Sequence, residues 1–156
     1  MAKKTPRGIR NNNPLNIRYV EANNWQGRVV VKKDREFEEF TSMVYGLRAA
    51  FCLLYNYINK GHDTIEKIIS KWAPASENNT EAYIKKVCTM TGRERGAVIN
   101  SRSICEMIAL AGAMAFVECG EDIDLKYFVE GYGRFCKSKN LSLCGVYEGY
   151  KRSGIK

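Results

Sequence analysis

The six cysteines contain no C-x-x-C pair, and with His62 as the only histidine there is no Cys/His spacing suited to zinc. A metal site and a cofactor are therefore not expected, and a Cys-His nucleophilic pair would have to use His62, in the loop Gly61-His62-Asp63. No signal-peptide core follows MAKKTPRG, and no apolar run approaches the ~20 residues that cross a bilayer. Synthesis and folding in the cytoplasm are expected, with Cys52, Cys88, Cys105, Cys119, Cys136 and Cys144 as reduced thiols acting as small hydrophobes. Internal repeats and low-complexity linkers are also missing. A length of 156 residues with 45% hydrophobic content suits one monomeric domain, with a core over about 7–135 and a tail, 136–156, that is harder to read.

The net charge of +8 favours an anionic partner: a nucleic acid, a membrane surface or a cell-wall polymer. The basic residues are spread along the chain rather than gathered in a tract, and no nucleic-acid fingerprint accompanies them, so any nucleic-acid binding is expected to be weak and nonspecific.

The stretch NNNPLNIRY, residues 11–19, is rich in amides. Asn bonds nearby backbone and tolerates left-handed geometry, which predicts a tight turn; alternatively, some of these amides line a cleft for a polar ligand such as a sugar chain. RVVVKKDREFEEF, residues 28–40, reads as a short hairpin with Lys32 to Arg35 at the turn. Thr41 is the expected cap of a helix whose stripe is Leu47, Ala50, Phe51, Leu54 and Ile58. Asp63 and Glu66 have capping-box spacing before Ile65, Ile68, Ile69 and Trp72, and Pro74 ends that pattern. A third helix carries Tyr83, Ile84, Val87 and Cys88, and Gly92 closes it. Ser103 with Glu106 opens ICEMIALAGAMAFVECG, apolar nearly all round and so expected to be buried. One more helix is predicted around Leu125 to Phe135, weakened by Gly131 and Gly133, and nothing is assigned after Asn140. These elements predict a mainly helical α+β domain.

Glu118 ends the buried helix seven residues beyond Ala111, almost two turns, and shares a face with Ile104, Met107, Ile108, Ala111 and Ala115. Gly120 is the expected C-cap, so the acid sits near the negative end of the helix dipole. Desolvation and dipole would both raise its pKa, and a carboxylic acid kept protonated near neutral pH is what a glycosidase uses to protonate a leaving oxygen. Alternatively, Glu118 exits to solvent or pairs with a nearby Lys or Arg.

RGIRNNNPLNIRY, WQG, Asp34 to Phe40, the YGLRAA helix and WAPASENNTEAYIKKV, with a weaker match at AFVECG, together resemble a phage-associated family of structural or virion proteins. Parts of the same order resemble bacterial glucosaminidases of the lysozyme-like superfamily. There the catalytic glutamate, in a Glu-Ser-Gly setting, precedes the Asn-rich strand; here Glu118-Cys119-Gly120 follows every other piece, as in a circular permutation, and Cys119 replaces the expected Ser or Asn. The resemblance implies a lysozyme-like domain with a small β-hairpin lobe, cleaving peptidoglycan glycan strands as a muramidase, glucosaminidase or lytic transglycosylase. It further implies Glu118 as general acid, with a second carboxylate from Asp34, which best matches the family position, or from Glu36, Glu38 or Glu39. All four acids could equally be solvated turn charges, and some enzymes of that superfamily use one essential acid. Trp25 and Trp72 would stack on sugars, and Asn13, Asn16, Asn78 and Tyr83 would bond hydroxyl and acetamido groups. Against this, Trp72 completes a core stripe, Asn13 can serve the turn before Pro14, and Glu77 and Asn78 can help cap the third helix. The resemblance leaves open an inactive virion or cell-wall-binding module and, third, a nucleic-acid-binding phage protein. It fits a chain that is virion-associated or delivered to the cell wall.

Overall fold

Residues 3–141 are described in a computed structural model. Their regular structure is helical: α1 (Arg7–Arg10), α2 (Met43–Asn59), α3 (Ile65–Trp72), α4 (Thr80–Thr91), α5 (Ile104–Cys119) and α6 (Leu125–Ser138). The beginning of each long helix follows from a capping side chain. Ser42 Oγ accepts from the Tyr45 N–H, Thr64 Oγ1 from Lys67, Asn79 Oδ1 from Ala82, Ser103 Oγ from Glu106 and the Asp124 carboxylate from Lys126. The caps expected at Thr41 and Asp63 are each displaced by one residue, to Ser42 and Thr64. Both neighbours are polar and can cap, and the backbone hydrogen bonds decide between them. Gly92 and Gly120 close α4 and α5 in the left-handed region, as their sequence positions predict.

α5 runs through the middle. Met107, Leu110, Ala111, Met114 and Ala115 are buried, and the helix touches α1, α2, α4 and α6. α2 lies along α6, where Phe51, Tyr132 and Phe135 form a cluster with ring centroids 5.2 to 6.5 Å apart. Gly131 sits at this contact: a Cβ there would lie 2.9 Å from Leu47 Cβ and 3.3 Å from the Arg48 nitrogen. That glycine, which weakens the sequence signal for α6, is what lets α6 approach α2.

The α+β expectation fails. The hairpin lobe predicted over residues 28–40 is an irregular loop with two isolated antiparallel bridges, Arg18 to Phe37 joining it to the N-terminal segment and Arg28 to Phe40 closing its own ends. No sheet occurs among the described residues. Two features prevent a ladder. Val30 and Val31 point into solvent and have no partner face to bury against. Several backbone polar groups around the turn are instead taken by side chains: Asp34 Oδ1 accepts from the Glu36 and Phe37 N–H groups, Glu39 Oε2 accepts from that of Asp34, and Lys32 Nζ donates to the Asp34 and Phe37 carbonyls. The small β lobe implied by the lysozyme-like resemblance is thus not formed.

The N-terminal amides are held closely. A Cβ on Gly46 would fall 1.7 Å from the Asn12 carbonyl oxygen, so α2 can pass here only with glycine. Asn12 and Asn16 both have φ of 52°, the left-handed geometry that asparagine tolerates.

Candidate functional site

Glu118 occupies the C-terminal end of α5 and borders a cleft of about 410 Å³. The segment Asn16 to Arg18 forms one wall. The opposite wall is the end of α3 and the turn after it, with Lys71, Trp72, Pro74, Glu77 and Asn78, while Leu53 and Tyr57 of α2 complete the lining. The acid is half-buried and held at both oxygens: Asn16 Nδ2 donates to Oε1 at 3.1 Å and the Tyr83 hydroxyl donates to Oε2 at 3.2 Å. Burial raises the Glu118 pKa above the usual carboxylate range, opposed by the Asn16 and Tyr83 hydrogen bonds and by the Arg18 charge. Desolvation also lifts the Tyr83 phenol well above its ordinary value, so it remains a neutral donor to Glu118. A half-desolvated carboxyl group facing a polar cleft is able to hold and deliver a proton.

The residues singled out in the sequence divide between this cleft and the scaffold. Asn16, Trp72, Asn78 and Glu118 border the cleft, and Tyr83 lies beneath Glu118, nearly buried. Trp72 serves two ends: its indole N–H donates to the Leu15 carbonyl at 3.1 Å and its ring meets Tyr57 edge-on, while the remaining surface faces the cleft. Asn78 does not cap α4, a role taken by Asn79, and donates to the Pro74 carbonyl at 3.4 Å.

Asn13, Trp25, Asp34 and Glu39 do not line the cleft. Asn13 is fully buried, accepts from the Ile17 N–H at 2.9 Å and donates to the Ile17 and Glu38 carbonyls, so its amide pins the turn. Trp25 packs against the core. Asp34 is clasped by Arg7 at 2.5 and 2.7 Å and by Asn11 at 2.9 Å, and the Arg7 hydrogen bond, with those from Asn11, Phe37 and Glu36, holds its pKa far below the usual range. Glu39 accepts from loop backbone. Glu38 is fully buried and pairs with Arg28 at 2.5 and 3.0 Å. Glu36 is exposed and also reaches Arg7. None of these acids is brought to Glu118. They are occupied in tying the loop to the N-terminal segment.

Arg18, Tyr57 and Lys71 are cleft residues that the sequence reading passed over, and Glu77 was considered there only as a cap. Arg18 reaches Glu77 at 3.3 Å across the mouth, and Lys71 Nζ lies 5.1 Å from the centre of the Tyr57 ring. Their signals were present but weak: Arg18 is two residues from Asn16 and Lys71 adjoins Trp72, whereas the packing of Tyr57 against both needs three dimensions.

Among the described residues there is no group of three or more His, Cys, Asp or Glu side chains able to hold a metal ion, and no helix is long and apolar enough to cross a membrane. Cys52, Cys88, Cys105, Cys119 and Cys136 are free thiols, and Cys144 lies outside the described residues.

No known family model matches the chain. It is 40% identical to protein P5 of Pseudoalteromonas phage PM2 over 119 residues, which span 74% of this chain and 72% of that protein. The chain belongs to the family of this phage protein P5.

Proposed function

We propose that this phage-family protein is a peptidoglycan-cleaving glycosidase in which Glu118 is the general acid. The observation that carries the reading is Glu118 itself: a carboxyl group with a raised pKa, positioned by Asn16 and Tyr83 at the edge of a cleft of about 410 Å³. Trp72 offers an aromatic surface, and Asn78, Arg18 and Lys71 offer donors for a polar, acidic glycan. The order of motifs, with its resemblance to glucosaminidases, points the same way. Asp34 and Glu39 are set aside as partners of Glu118, since Asp34 is ion-paired to Arg7 and neither lines the cleft. Among the described residues the only other acid lining it is Glu77, paired with Arg18. Glu118 therefore acts as a single essential acid, with Glu77 the remaining candidate for a second carboxylate.

A second reading, an inactive virion or cell-wall-binding module, draws on a specific observation. Both Glu118 oxygens already accept protein hydrogen bonds, as they would in a purely structural carboxylate. Purified peptidoglycan decides between the two. Under the glycosidase reading the native chain releases soluble fragments, and Glu118→Gln, which keeps shape but delivers no proton, lowers the rate ~10²-fold or more while still sedimenting with the polymer. Binding without release by the native chain favours the module, and undiminished cleavage by Glu118→Gln assigns the acid elsewhere.

A further inference from the structure

The loop that replaces the expected hairpin carries an unexplained apolar tip. Val30 is 100% and Val31 80% exposed, side by side, and no part of the described chain covers them. Single exposed apolar residues are ordinary, but two consecutive valines left this exposed in one loop are a contact surface. Cations surround them. Lys33 and Arg35 follow in the same loop and are exposed, and Arg10 shares a surface hollow with Val29, Val31 and Lys33. Among the described residues none of these three cations has an ion-pair partner, whereas the nearby acids are engaged: Asp34 and Glu36 with Arg7, and Glu39 with loop backbone. The base of the loop is firm, because Lys32 donates to two loop carbonyls and sits 4.5 Å from the Tyr19 ring centre, and Arg28 is paired with buried Glu38.

We infer that this loop is a membrane-docking element, which inserts Val30 and Val31 among the headgroups of an anionic lipid bilayer while Arg10, Lys33 and Arg35 contact the lipid phosphates. An apolar tip with a cationic collar matches an interface whose outer layer is anionic and whose next layer is apolar. A nucleic acid would use the cations but leaves the valines without a role, and a second copy of this basic chain would meet its own charge. None of residues 29–35 borders the Glu118 cleft, so this surface is separate from the proposed glycosidase site.

Co-sedimentation of the full chain with vesicles tests this, using 7:3 phosphatidylcholine:phosphatidylglycerol against phosphatidylcholine alone in ~0.15 M salt, where surface charges are screened beyond about 8 Å. The native chain should bind the anionic vesicles and not the neutral ones. The double variant Val30→Ser/Val31→Ser keeps every charge and should bind at least ~10-fold more weakly, and Lys33→Gln/Arg35→Gln should also lose binding. Circular dichroism should show all of these folded, since the changed side chains are exposed. Failure of the native chain to bind anionic vesicles overturns the inference. So does equal binding by the double serine variant, and so does a preference for duplex DNA over the vesicles at the same salt, each of which reduces the loop to a basic patch.

Discussion

Two carboxylates show how environment sets the role of a residue. Asp34 is held ionised by the Arg7 hydrogen bond, so its pKa falls on folding, and its contribution to stability is complete above ~4 and disappears as pH drops through the lowered folded value. Glu118 behaves oppositely: burial raises its pKa, so the folded state binds the proton more readily and the cost of the charge is fully felt only above the raised value. Melting curves across pH should therefore diverge in sign. Asp34→Asn should melt below the native protein at pH 7 and approach it in strong acid. Glu118→Gln should melt at or above the native temperature at pH 7, with the advantage vanishing towards pH ~4. A Glu118→Gln variant that melts far below the native at pH 7 would make the carboxylate a structural anchor. The sequence revealed the position of Glu118 because helical spacing is a local property. It pointed Asn13 towards substrate and Asp34 towards a second catalytic carboxylate, whereas the structure keeps both out of the cleft, because the groups they bond, Glu38 for one and Arg7 for the other, are brought to them only by long-range packing.

At the scale of elements, two helix-interior glycines that look alike in sequence should respond to alanine in opposite ways. In α6, a Cβ on Gly131 meets Leu47 Cβ at 2.9 Å and the Arg48 backbone, so Gly131→Ala forces α6 off α2 and should cost about 1–3 kcal/mol. In α5, a Cβ on Gly112 meets nothing within 4 Å, so Gly112→Ala removes only backbone freedom from the unfolded chain and should gain about 0.5–1 kcal/mol. Urea unfolding of both variants measures the contrast, and two changes of the same sign would mean the α2 to α6 contact is looser than drawn. The five longer helices and most of their starts were legible, since apolar spacing, caps and terminal glycines are written in consecutive positions, but the short α1 was not expected and α6 runs three residues past the Phe135 end read for it. The loop over 28–40 was not. Its β-branched and alternating residues carry a strand signal, but strands need a partner surface, and here Lys32, Asp34 and Glu39 use side chains where a ladder would use backbone.

For the molecule as a whole, three buried thiols report on cooperativity. Cys52, Cys119 and Cys136 lie in α2, α5 and α6, while Cys105 is exposed. Burial raises the pKa of all three, Cys119 to about 11, so both access and ionisation protect them. In a thiol-labelling time course read by peptide mass spectrometry, Cys105 should react at once and the buried three together, at a common rate set by global opening. Early labelling of Cys136 alone would show α6 separating from α2 before the rest. The pairing of Asn16 with Glu118 brings together residues 102 positions apart. During synthesis, then, the Asn-rich wall, α2, α3 and α4 leave the ribosome well before the carboxylate they await. A nascent chain halted before α5 carries the residues of the cleft walls but lacks Glu118 and the central helix they pack on, so whatever proton chemistry Glu118 performs is withheld until translation has passed it and α5 has docked.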